Sequence, residues 1–362
     1  MFEMLPEYVG YLNTFKKLGV RPFKKEDILR KRLGDYVSIL VLRDILFSIL
    51  SLSPTKYTPF LYTWGKFIGN QAAKQAKSTL KITALTKLMT TLDPIRVLKI
   101  DIYKDAITKN WLSVKSFIPT ITYVDERTKV FRIRIDECDE AWGLHNIGKK
   151  ICFFEGAIMA GHTEGIVNTS INAIETKCVA RGDEYCEFFC SLNPKFPELE
   201  ILNTEYLEKI KGNILDEFRT KKQIRKTLGD FDHIAALQVT YLGLWLSSTG
   251  THTILYFIGK NTGEKISKNL KGNLDNRLEK FSELFRKLKI GLLEIKRKDD
   301  KFIITEKDCA FTAGASNFGK RICSYTAGMI SGFLNSATNK TYNVIETKCI
   351  ANGDEHCEFT TL

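Results

Sequence analysis

Eight residues in this chain have the types and spacing of metal ligands, and they come as two sets of four. Cys152, Glu175, Cys178 and Cys186 form the first set; Cys323, Glu346, Cys349 and Cys357 form the second. In each set the glutamate follows the first cysteine by 23 residues, the next cysteine follows by 3, and the last by 8. Three thiolates and one carboxylate complete a tetrahedral shell for zinc. Sulfur donors favour zinc over magnesium or calcium. Four protein ligands leave no open position, so each ion is expected to be structural, one per set and two Zn2+ per chain. Buried free cysteine is the plain alternative for either set alone. Identical spacing in both sets favours ligands.

The sets lie in a repeated phrase. Residues 172–188 read NAIETKCVARGDEYCEF, and residues 343–359 read NVIETKCIANGDEHCEF, 171 positions later. The same spacing links Cys138 with Cys309, a fourth pair read as core. Cys190 has Thr361 as its counterpart. A repeat of this kind is one structural unit used twice. Cys178 and Cys186 flank a tight turn at Arg181–Gly182–Asp183, so two adjacent strands can bring both sulfurs to one point. Cys152 belongs to a preceding helix, expected around Asn146–Gly161, with its counterpart at Asn317–Gly332. Glu175 and Cys178 are three apart, and a straight strand would aim them at opposite faces. The site therefore requires a bulge or a strand end between them.

The elements that must position these residues are legible as a change of period. Val37, Leu40, Leu42, Ile45, Leu46 and Ile49 give a helical stripe, and GKFIGNQAAKQAKSTL after Trp64 is amphipathic and rich in helix formers. Phe131, Ile133 and Ile135 then alternate with Arg132 and Arg134; Phe302 and Ile304 repeat this in the second copy. GLLEIKRKDDKFIITEKD reads as a hairpin turning at Asp299–Asp300. Upstream, RKRLGDY (30–36) matches RKTLGDF (225–231) at a spacing of 195. The first copy thus carries an excess of about 23 residues, by these spacings, expected within 80–118. The expected organisation is an N-terminal segment 1–24, a domain 25–192, a connector helix 193–222 and a domain 223–362. The fold class is α+β, two tandem domains, each an antiparallel sheet packed against helices.

Composition bounds the function. The 362 residues suffice for two cores. A net charge of +12 permits contact with nucleic acid or anionic lipid, but the basic stretches Lys16–Arg32 and Arg219–Lys226 are diluted by acids at helical spacing and read as solvated helix faces. The apolar stretch Tyr36–Leu52 is broken by Arg43 and Asp44, so it is read as a buried helix and not a membrane span. The opening residues lack the pattern of a secretory signal, and nine cysteines without one argue against a disulfide framework and for a cytoplasmic setting. No nucleophile–base arrangement is present, so no catalytic residue is assigned. His145 and Trp142, whose counterparts are Ser316 and Ala313, are set aside as site residues. Asp183–Glu184 and Asp354–Glu355 are read as solvated turn residues.

The run E-T-K-C-x-A-x-G-D-x-x-C-E-F resembles the signature of the 4-vinyl reductase domain family, over residues 25–192 and 223–362. That family is related to the sensor domains of phenol- and xylene-responsive activators, whose zinc ligands match this chain at Cys152, Glu175, Cys178, Cys186 and at Cys323, Glu346, Cys349, Cys357. Its fold resembles the small subunits of vesicle-tethering complexes. The resemblance implies a pocket for an apolar or aromatic small molecule, with a regulatory role passed to a protein partner. The ligand-binding residues are not assigned. There is no GxxxxGK[ST] run for an ATPase module. The alternative reading is a ligand-free scaffold of the tethering type. A vinyl-group reductase is disfavoured, because no GxGxxG fingerprint follows a strand.

Overall fold

The computed structural model describes residues 29–79, 93–144, 147–192, 195, 197–217, 223–246, 250–299, 301–315 and 319–362. The segment 1–24, most of Lys16–Arg32, part of the 80–118 excess, parts of 193–222 and Arg219–Lys226, Asp300, His145, Ser316 and the start of each expected ligand helix lie outside the described residues. In chain order the first copy has β1 (Tyr36–Ser38), α1 (Ile39–Leu52), α2 (Pro54–Thr79), a 3-10 turn (Pro94–Lys99), α3 (Asp101–Val114), β2 (Ile118–Asp125), β3 (Val130–Asp136), α4 (Phe153–Val167), β4 (Asn172–Lys177) and β5 (Cys186–Ser191). After α5 (Thr204–Glu217) the second copy has β6 (Phe231–His233), α6 (Ile234–Leu246), α7 (Thr251–Asn269), α8 (Leu274–Lys287), β7 (Leu292–Lys298), β8 (Lys301–Lys307), α9 (Ser324–Thr338), β9 (Val344–Lys348) and β10 (Cys357–Thr361).

Each copy builds one four-stranded antiparallel sheet in the same order, β2-β3-β5-β4 and β7-β8-β10-β9. The alternation read from sequence sets the buried face. Phe131, Ile133 and Ile135 stand opposite Cys190, Phe188 and Cys186, and all six are buried. Phe302 and Ile304 are likewise buried on β8. Arg132 and Arg134 lie on the other face, paired with Glu187 and Asp136. The fold is α+β, as the patterning implies.

Glycine decides how closely the helices approach. In the unit containing α2 and α4, a side chain at Gly69 would collide with the carbonyl of Ile158, and one at Gly161 with the carbonyl of Lys66. In the other unit Gly259 and Gly263 of α7 meet the backbone of α9 at Tyr325 and Met329, and Gly328 and Gly332 return the contact at Tyr256 and Lys260. Four residues separate the glycines of each pair, so they share one helix face and the two backbones touch. On the sheet side of α4, a side chain at Gly156 would strike the Phe188 ring.

Compactness and the sequence repeat divide the chain differently. Residues 29–49 pack with 231–362 as one unit, and 50–230 form the other, where the spacing alone separates 25–192 from 223–362. The reason is a pair of buried arginines in the RKxLGD phrase. Arg30, fully buried, donates to the carbonyls of Gly34 and Tyr36 nearby and to those of Lys289 and Asp308 in the body of the second copy. The Asp308 carboxylate in turn accepts from the backbone N–H groups of Arg32 and Leu33. Arg225, also fully buried, donates to Gly229 and to the carbonyls of Lys115, Ser116 and Glu137 in the body of the first copy, and Glu137 accepts from the N–H groups of Thr227 and Leu228. Each copy's opening phrase is therefore held by the body of the other. Asp44, which interrupts the apolar run of α1, is a buried acceptor for the hydroxyls of Thr262 and Tyr325.

Two substitutions test this packing. Gly263→Ala is expected to destabilise the protein by about 2 kcal/mol through overpacking. Gly212→Ala, in α5 with open space around it, is expected to stabilise it by about 0.5–1 kcal/mol. Thermal melts of the two variants should move in opposite directions. Arg225→Met leaves several buried carbonyls without donors and is expected to cost about 3 kcal/mol, read by the same melts against Lys226→Met as a surface control.

Candidate metal centres

Each cluster is assembled by a helix start, a bulged strand and a tight turn. Cys152 and Cys323 sit at the N-caps of α4 and α9, not within the helices, with φ −89° and −84°. Their carbonyls accept the first helical hydrogen bonds, from Gly156 and Ala327. The strand irregularity that the Glu–Cys spacing requires is present in both copies. Between β4 and β5 the register shifts between Glu175 and Lys177, and between β9 and β10 it shifts at Glu358/Phe359, opposite Thr347. The displaced Thr176 and Thr347 hydroxyls are taken up by Glu187 and Glu358. The extra residue restores Glu175 and Cys178, or Glu346 and Cys349, to one side.

The turn that follows is a short 3-10 segment, Val179–Arg181 or Ile350–Asn352. It closes on Gly182 at φ 113° or Gly353 at φ 102°, a conformation that glycine adopts without strain. Asp183 is more than a solvated turn residue. Its carboxylate accepts from the N–H of Cys178 at 2.8 Å, and Asp354 does the same for Cys349 at 2.8 Å. These aspartates fix the loop that carries a donor sulfur.

All eight expected residues come together as two groups of four, with donor atoms within 4.8 Å of one another in each. The sulfur of Cys152 lies 3.8 Å from that of Cys178 and 3.6 Å from that of Cys186; Cys323 and Cys357 are 3.7 Å apart. A tetrahedron with zinc–sulfur bonds of about 2.3 Å places its sulfurs about 3.8 Å apart, so the spacing fits. One oxygen of each glutamate is oriented by a backbone donor: Cys152 N–H to Glu175 Oε2 and Cys323 N–H to Glu346 Oε2, each 2.9 Å. The other, Oε1, is buried without a hydrogen-bond partner in both. An acceptor in that state is costly unless a cation meets it.

Burial, reinforced by the neighbouring thiols, raises the carboxyl of Glu175 well above its ordinary range and that of Glu346 to about 10. Burial likewise raises the thiols of Cys152 and Cys323. These shifts favour the protonated forms, and a bound dication would displace the protons held there.

The structure also places side chains here that the spacing argument set apart. Cys138 lies 3.3 Å from Cys152, and Cys309 lies 3.7 Å from Cys323, sulfur to sulfur, so the fourth cysteine pair belongs to the clusters. Their shared spacing of 171 was the available signal. Glu155 and Glu306 are buried against these sulfurs. Neither repeats between copies, so the duplication could not flag them. Cys190 stands apart, facing the Phe188 carbonyl across 4.0 Å.

A duplicated α+β protein with one buried thiol–carboxylate cluster per copy is the class that this fold and these sites define. The 4-vinyl reductase domain matches residues 131–191 and 302–361. Uncharacterized protein MJ0150 of Methanocaldococcus jannaschii is 37% identical over 154 residues, covering 42% of this chain and 87% of that protein. The chain belongs to the 4-vinyl reductase domain family. Solved structures similar to it include the phenol-responsive sensory domain of the transcription activator PoxR with phenol (16% identity, TM-score 0.30, 36% of this chain and 73% of that one). A trafficking protein particle complex subunit 3 from Naegleria fowleri, covalently bound to palmitic acid, is also similar (14% identity, TM-score 0.31, 44% and 98%).

The aspartate brace is testable. Asp183→Ala should weaken metal retention by about 10–100-fold, as loss of a supporting hydrogen bond to a ligand loop does. Competition with a chromophoric chelator measures this, and the exposed Glu184→Ala should leave retention unchanged.

Proposed function

We propose that this chain is a zinc-stabilised protein that binds an apolar, aromatic or hydrocarbon small molecule and passes that state to a protein partner. One structural zinc ion is assigned to Cys152, Glu175, Cys178 and Cys186, and one to Cys323, Glu346, Cys349 and Cys357. The observation that carries the metal assignment is the glutamate Oε1 in each cluster, buried and unpartnered beside three sulfurs at tetrahedral spacing. Each set is closed, so the ion's work is to tie a helix start to a distant turn, and catalysis is not assigned to it. Membership of the 4-vinyl reductase domain family and the sequence resemblance to aromatic-responsive sensor domains support the ligand class. Among the described residues no helix is long and apolar enough to cross a membrane. A cytoplasmic setting fits nine free cysteines, all buried. A tethering-type scaffold without ligand is the second reading; its support is the family's resemblance to tethering subunits.

Protein prepared without chelator is expected to hold about two zinc ions per chain. Cys178→Ser should remove one and lower the melting temperature, while Cys190→Ser keeps both. Because the thiols and carboxyls take protons as pH falls, zinc should be released on acidification, and its uptake near pH 7 should liberate protons in weakly buffered solution. No metal by elemental analysis, with all thiols titratable in the native state, would leave the cysteines as core residues. Phenol, xylenes and longer apolar compounds should raise the melting temperature by binding the native state. A broad series without any shift would favour the scaffold reading.

A further inference from the structure

Each cluster holds more donors than one ion uses. Beyond the four-donor set lie a fourth thiol and a second carboxylate, all buried. In the first copy, the donor atoms of Cys138, Cys152 and Glu155 lie within 4.8 Å of one another. In the second, those of Glu306, Cys309 and Cys357 do so. Glu155 Oε2 and both oxygens of Glu306 have no hydrogen-bond partner, and both residues are at most 2% exposed. Glu306 stands directly opposite Cys357 across the sheet.

The two carboxylates are not repeat equivalents. The counterpart of Glu155 is Thr326, and the counterpart of Glu306 is Ile135. One acid comes from the first turn of α4 and the other from β8. Each copy thus sets one additional buried acid against its fourth thiol, from a different element. A buried carboxylate oxygen without a donor is destabilising unless a cation meets it. The four-donor set already has its own glutamate, so the second acid is surplus to one tetrahedral ion.

We propose that each copy binds a second thiophilic divalent ion: on Cys138, Cys152 and Glu155 in the first copy, and on Glu306, Cys309 and Cys357 in the second. One thiolate, Cys152 or Cys357, bridges this ion to the four-donor site. Two sulfurs and one oxygen suit zinc, iron(II) or cobalt(II) better than magnesium or calcium. Three protein donors leave a coordination position for water or a small anionic or thiol ligand, the arrangement of exchangeable and not closed sites. Binding is coordination alone: each thiol gives up its proton as the ion enters, and no electron is transferred. The inference rests on the four-donor reading, because it shares a ligand with it.

The test uses the full chain, saturated anaerobically with zinc and freed of excess by gel filtration. Expected are about four ions per chain by elemental analysis, at two per copy. Cys138→Ala and Glu306→Gln should each lose one ion, and the double variant two, with far-UV circular dichroism unchanged. Where Cys138→Ala does not fold, the near-isosteric Glu155→Gln reads the same position. Cobalt titration of the wild type should give thiolate charge-transfer absorption that rises beyond two equivalents, and that second phase should vanish in the double variant. Two ions per chain, unchanged in the variants, would overturn the second site while leaving the four-donor reading intact. Four ions that persist in the double variant would mark surface binding and overturn it equally. No metal at all would remove both readings.

Discussion

Thiol and carboxyl groups gathered inside a core constrain everything else in this protein. Three sulfurs and a carboxylate per copy lie out of water, and the elements around them serve to bring them within a few ångströms. A helix start supplies one sulfur, a strand bulge turns the glutamate inward, and a glycine-closed turn returns the last cysteine to the neighbouring strand. None of these features is stable for its own sake. A bulge gives up ladder pairing, and a buried acid gives up hydration. They are mutually consistent when protons or a cation neutralise the donors at their focus.

The helices hold this focus at a fixed depth. Because α2 meets α4, and α7 meets α9, through backbone and not through side chains, the N-cap cysteines have little room to shift along or away from the sheet. Cores of interlocking side chains can relax by rotamer changes; backbone contact through glycine cannot. The helix that carries each N-cap cysteine is therefore set by steric contact between backbones.

Much of this was legible in the residues. The eight cysteines and glutamates of the four-donor sets stood out by repetition, and the alternation of Phe131, Ile133 and Ile135 gave the buried face. The need for a bulge followed from a spacing of three on a strand. Less legible were features whose meaning depends on a distant partner. Arg30 and Arg225 look like surface residues of a basic phrase, yet each is a buried donor to carbonyls more than 80 residues away in sequence. Asp183 looks like a solvated turn acid because its acceptor role involves a backbone N–H, which has no signature in residue type. Glu155 and Glu306 were invisible because the repeat, the strongest signal in the chain, does not contain them.

The exchanged arginine phrases also bear on how such a chain could have arisen. A lone ancestral copy carries the phrase but has no second body to receive it, unless another molecule supplies one. In this chain the receiving surface is covalently guaranteed, at any concentration. Two separate copies exchanging these phrases would lose association entropy, a cost that is absent within one chain. Within one chain the exchange is a property of folding and not of concentration, while the two copies differ in the acids beside Cys138 and Cys309.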